Sequence, residues 1–186
     1  SMMNPEGGPA MTGHNHGGGE MAATASPVSN NAVKEIAISE QAKQALQPLF
    51  KNYLSLKNAL VEDNLEVAQK AVSRFNLALE KVNKTVFTGS SQNVWMSHSS
   101  DMKNAVNAIQ HLKTIQEVRT TFQQVSESMI ALTKVFTPFE QTLYVQFCPM
   151  KDTNKGANWL STEEEIRNPY FGASMLTCGE VITTIK

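Results

Sequence analysis

The chain has 186 residues, a formal net charge of −1 and 18% charged residues, below the quarter usual for globular domains. That length fits one domain, or one domain with a tail. The balanced charge offers no basic field for nucleic acid, and no apolar run reaches the roughly 20 residues of a membrane span.

The start, Ser1-Met2-Met3-Asn4, has neither the charged region nor the apolar core of a signal peptide. Ser1 reads as a cloning remnant, so an export segment is expected to have been removed. Residues 1–33 are rich in Gly, Met, Asn and Ser, with Pro5, Pro9 and Pro27. Such a segment buries too little apolar surface to offset its ordering entropy. Within it, His14-Asn15-His16 is bracketed by Met2, Met3, Met11 and Met21. The tract reads either as a weak metal collector or as a solvated tail.

Residues 34–186 read as an all-α domain: an up-down antiparallel four-helix bundle, then an irregular C-terminal wrap (137–186) containing a short helix. Ala42, Leu46, Leu49, Phe50, Tyr53 and Leu60 follow the 3.6-residue period. Pro48 either kinks this helix or opens a new one near Gln47. Asp63 with Glu66 makes a capping-box pattern for the second helix, whose stripe is Ala68, Ala71, Val72, Phe75, Leu79 and Val82. Thr88-Gly89-Ser90-Ser91 predicts a turn. The third stripe is Trp95, His98, Met102, Ala105, Val106, Ile109 and Leu112. Thr114 with Glu117 caps a fourth helix striped by Val118, Phe122, Val125, Met129, Leu132 and Phe136. Short connections imply antiparallel neighbours.

Pro138 ends the helical pattern. The aromatic and β-branched run Leu143–Phe147 predicts extended chain. Ser161 with Glu164 predicts a short helix that Asn168-Pro169 stops, and Gly172 marks a turn. Trp159, Leu160, Tyr170, Phe171 and Leu176 require something to pack on, most simply the bundle.

The chain has no Glu-x-x-His pair, no Cys-x-x-Cys-His, no Gly-x-Ser-x-Gly and no phosphate-binding glycine loop. No enzyme is expected. The strongest chemical signal is a pair of soft-ligand clusters, Cys148-Pro149-Met150 and Met175-Leu176-Thr177-Cys178, which contain both cysteines. Thiolate and thioether together select Cu(I) over hard ions. Pro149 stiffens one cluster, and a single turn points both sulfurs of the other the same way. Two rival readings stand beside this. A Cys148–Cys178 disulfide would close a loop of about 30 residues and stabilise by about 3–4 kcal/mol, or the methionines fill core space. His98 and Met102, at i and i+4, form a second candidate pair; a lone His on an apolar face is alternatively a hydrogen-bonded core residue. His111 falls off the stripe and reads as solvated.

The strings Phe147-Cys148-Pro149-Met150, Asn158-Trp159-Leu160-Ser161, Ile166-Arg167-Asn168-Pro169-Tyr170-Phe171-Gly172 and Met175-Leu176-Thr177-Cys178-Gly179, with Tyr53–Leu60 of the first helix, resemble the domain-of-unknown-function 3347 family over roughly residues 45–183. Such domains occur as exported single-domain proteins and attached to adaptor subunits of copper/silver-type efflux pumps. The resemblance implies metal handling by Cys148, Met150, Met175 and Cys178, and does not extend to His14 or His16. The expected function is therefore non-enzymatic binding of a soft metal, Cu(I), by a periplasmic or lipid-anchored protein. It would buffer the ion or deliver it to efflux machinery, with a pump adaptor subunit as partner and the tail as collector. The alternative is a disulfide-stapled structural or adaptor module that mediates protein–protein contacts.

Overall fold

A computed structural model of the chain describes residues 33–107 and 111–186. His14, His16 and the tail methionines lie outside the described residues, as does Ile109. Val33–Lys186 forms one compact unit.

Four long helices make most of it. The first, α1 (Glu40–Val61), starts at Ser39, whose side chain accepts a hydrogen bond from the Ala42 N–H at 3.1 Å. Of the two readings of Pro48, the helix runs through it. The second, α2 (Leu65–Lys81), is capped by Asn64, which accepts from the Val67 N–H at 3.0 Å. This corrects the expected Asp63/Glu66 box: Asp63 stands at φ 55° and its carboxylate is engaged elsewhere. A 3-10 turn (Lys84–Val86) and Gly89 lead into α3 (Ser90–Asn107). The last, α4 (Ile115–Phe136), has the full Thr114/Glu117 capping box.

The predicted stripes converge. Leu49, Tyr53, Leu56 and Leu60 of α1 meet Phe75 and Leu79 of α2, Trp95 and Met102 of α3, and Val118, Phe122, Val125 and Met129 of α4 in one core. Each fully buried large apolar side chain is worth about 1.5–3 kcal/mol relative to exposure. Phe87 lies between Trp95 and Phe136, with ring centroids 4.9 and 5.7 Å away. Packing is closest between α1 and α2 and between α3 and α4, and α4 also touches α1 and α2.

The expectation of an all-α chain fails beyond Pro138. β1 (Leu143–Cys148) is the predicted extended run, but β2 (Ala157–Ser161) and β3 (Glu180–Ile185) pair with it in a three-stranded antiparallel sheet ordered β2-β1-β3. The pairing of β1 with β3 carries an irregularity at Val145/Gln146. The short helix expected after Ser161 is absent. Ser161 ends β2, and the following carbonyls of Glu163, Glu164 and Glu165 all accept from the buried Gln146 Nε2 at 2.9, 3.0 and 3.2 Å. Three successive carbonyls converging on one amide nitrogen hold that loop bent around its donor.

The sheet segment is fastened to the helices by polar contacts that the helical period cannot encode. Arg119, buried on α4, donates from Nε to the Pro169 carbonyl at 2.8 Å and from Nη2 to the Leu60 carbonyl at 3.0 Å and to Asp63. The other Asp63 oxygen accepts from the Ala173 N–H at 2.8 Å. Gly172 lies against Asp63 at φ 55°, where a Cβ would meet that carboxylate. Tyr53 accepts from the Leu160 N–H at 2.9 Å and shares a 2.8 Å hydrogen bond with Ser126.

Candidate soft-metal site

Asn168 builds the loop that carries Met175 and Cys178. Its side chain is fully buried; Nδ2 donates to the Cys178 carbonyl at 2.7 Å and Oδ1 accepts from the Tyr170 N–H at 2.8 Å. Its backbone N–H donates to the Leu176 carbonyl at 2.8 Å. One amide thus closes the stretch 168–178 on itself. A 3-10 turn (Gly172–Met175) follows, and the Cys178 N–H donates to the Met175 carbonyl at 3.0 Å. Tyr170 roofs this stretch: its hydroxyl donates to the Asn158 carbonyl of β2, and its ring packs edge-on to Trp159 at 5.9 Å.

Gly179 then joins the loop to β3. Its φ is +144°, and a Cβ there would sit 2.7 Å from the Phe147 carbonyl oxygen and 3.1 Å from the Trp159 ring. Only glycine lets the chain pass this close. Phe147 pairs with Glu180, so the close passage brings Cys178 beside Cys148 at the end of β1. Both cysteines are free thiols. Cys148 is fully buried and Cys178 half-buried. The Cys178 thiol is pushed up from its ordinary range, first by burial, then by the charge of Cys148 and a side-chain hydrogen bond with it. Metal binding requires deprotonated thiols, so a bound cation would offset the cost of ionising Cys178 there.

Met150 follows Cys148 by two residues and is 48% exposed, and Met175 is half-buried. Neither is taken up by the core. The site thus offers one buried and one accessible thiol, with two thioethers on the adjoining turns. Among the described residues no three His, Cys, Asp or Glu side chains gather in a metal-binding group. This donor set therefore differs from the four-ligand tetrahedral cage of a structural zinc. Sulfur-only ligation favours a soft monovalent ion.

The second predicted pair is divided. Met102 is fully buried in the helical core, whereas His98 lines an open furrow of about 460 Å³ between α3 and α4 with Asp101, Gln124, Glu127 and Ser128. His98 Nδ1 is buried without a hydrogen-bond partner. His111 is exposed. No helix among the described residues is long and apolar enough to cross a membrane.

Sequence reasoning missed the residues that hold the site in place. Arg119 and Lys57 draw no reading from the sequence, and Asn168 reads only as a helix stop. Lys57 is only 2% exposed. Its amine is lowered from the ordinary lysine range by burial, against the opposing charge of Glu163.

Residues 49–141 match the family described as a protein of unknown function, DUF3347. The chain belongs to that family. The match runs from within α1 to just before β1, so His98 and Met102 lie inside it and Cys148, Met150, Met175 and Cys178 outside it. The expected extent, to about residue 183, was carried by the C-terminal strings, many of whose residues have identifiable structural roles. No curated protein and no solved structure matches the chain.

Proposed function

We propose that this DUF3347 protein binds a soft metal ion, Cu(I), through Cys148 and Cys178, with Met150 and Met175 completing the sulfur shell, and that it buffers or hands on the ion without catalysing a reaction. The observation that carries this reading is the meeting of two free thiols at the β1–β3 junction, one of them half-accessible. Thioethers need no deprotonation and exchange readily, which suits transfer, while the thiolates supply affinity. The resemblance to domains attached to copper/silver efflux adaptors supports a place in the cell envelope, in the periplasm or on a lipid anchor, and delivery to such machinery. Residues 1–33, with His14 and His16, would collect ions for the folded site. The short connections and the close packing of α1 on α2 and of α3 on α4 support an up-and-down bundle as the scaffold.

The test is an anaerobic Cu(I) titration of the reduced full chain carrying His14→Ala and His16→Ala, against a competing chelator. One tightly held ion is expected, lost on Cys148→Ser with Cys178→Ser and weakened by Met150→Leu or Met175→Leu. Unchanged affinity after loss of both cysteines would refute the site.

The adjacency that favours metal also favours a second reading, in which oxidation joins Cys148 to Cys178 and staples the C-terminal loop to β1 in a structural or adaptor module. Thiol counting before and after exposure to oxidised glutathione separates the two. A chain that oxidises fully and holds no Cu(I) when reduced is the stapled module.

A further inference from the structure

The C-terminal turns of α2 stand as a ridge between two open furrows that share Val82 as a wall. One furrow, about 410 Å³, runs between α1 and α2 beside Pro48, Leu77 and Ala78. The other, about 540 Å³, runs between α2 and α3 beside Leu79, Trp95 and Met96. Leu77 and Met96 are each 53% exposed. Two large apolar side chains left in water, one beside a mainly apolar furrow and one beside a furrow of mixed lining, mark a contact surface more than scattered exposure does.

The charge around them is one-sided. Arg74 and Lys81 rim the first furrow, Lys84 and Lys103 the second, and Glu80 is the one acid lining either. None of the four cations makes an ion pair among the described residues. The whole chain carries 16 Lys and Arg against 17 Asp and Glu, so this is a local excess that the rest of the surface balances. We propose that this surface docks an acidic amphipathic segment of a partner protein, with apolar side chains entering the furrows and carboxylates meeting the four cations. The inference is independent of the metal site.

Concavity decides against a lipid surface, since a bilayer cannot follow furrows on both sides of a ridge whereas side chains can enter them. The chain's own acidic run, Glu163-Glu164-Glu165, is a poor occupant. Its carbonyls are tied to Gln146, and it brings no apolar side chain within the run.

The test is an NMR titration of the isotope-labelled full chain with a synthetic helical peptide bearing leucines on one face and glutamates on the other. Its lysine counterpart and vesicles of phosphatidylcholine with phosphatidylglycerol serve as comparisons. The acidic peptide is expected to bind at least about tenfold more tightly than the basic one, because like-charge juxtaposition is penalised. Its shifts should map to Arg74–Lys84 and Trp95–Lys103. Replacing Lys81, Lys84 and Lys103 by Glu, or Leu77 and Met96 by Ser, should each weaken binding about tenfold with the circular dichroism spectrum unchanged. Absence of binding, equal affinity for the two peptides, shifts mapping elsewhere, vesicle binding in place of peptide binding, or self-association removed by the same substitutions would each overturn the proposal.

Discussion

The helices and the sheet segment share one apolar core but differ in how much directional polar bonding is added to it. The helices meet along apolar stripes, where each contact is non-directional and loss of one is shared among many neighbours. The segment from Leu143 onward adds Leu143, Val145, Trp159, Leu160 and Tyr170 to that core, and is further fixed by directional polar contacts: Arg119 and Tyr53 tie it to the helices, and Gln146 and Asn168 shape its loops. That contrast sorts the C-terminal string. Trp159, Asn168, Tyr170, Gly172 and Gly179 are accounted for by packing, hydrogen bonding or close approach. Met150 and Met175 are not, and the Cys178 thiol lies beside the buried Cys148.

The contrast breaks most sharply at Arg119. Arg119→Met should cost about 3 kcal/mol, because it leaves two buried carbonyls without a donor and Asp63 without its cation. Urea denaturation reads the loss, and a change below about 1 kcal/mol would mean that apolar packing alone holds the segment. Tyr53→Phe comes next, at about 2 kcal/mol, since it strands the Leu160 N–H of β2.

Lys57 tests the contrast with the opposite sign. Burial lowers its amine below the ordinary 10.5, so the unfolded chain binds more protons between that lowered value and 10.5, and stability rises with pH across this window. Lys57→Met should therefore stabilise at neutral pH, by about 1 kcal/mol, with the advantage shrinking as pH rises towards the lysine range. Thermal melts across alkaline pH read both effects.

The smallest effect belongs to Asp63. The Ala173 N–H, then Arg119, holds its carboxyl below the ordinary 3.8. Its contribution is present above that value and is lost as pH falls through the lowered one. The side chain is 40% exposed, so solvent screening keeps the contribution under about 1 kcal/mol. Asp63→Asn should flatten this part of the acid-denaturation limb, which ellipticity against pH records.

The helices were legible because burial repeats every 3.6 residues, and Thr114 with Glu117 marked the start of α4 by local chemistry. Local chemistry misled at Asp63. The Asp-x-x-Glu spacing suits a cap, but Asn64 took that role, and the partner that claimed Asp63 lies 56 residues further along the chain. β2 is buried at four of its five positions, so it shows little alternation, whereas β3 carries the β-branched alternating run Val181–Ile185, a strand signal that sequence reasoning missed. The soft-ligand clusters could be read directly. Their meeting could not, because it depends on the pairing of β3 with β1 and on the close passage that Gly179 allows.

X-ray absorption at the copper edge of the Cu(I)-loaded full chain tests the central claim most directly. The account predicts a sulfur-only shell that is unchanged by replacing His14, His16 or His98 with Ala and is lost when Cys148 and Cys178 become Ser. A nitrogen-containing shell that survives the loss of both cysteines would contradict it.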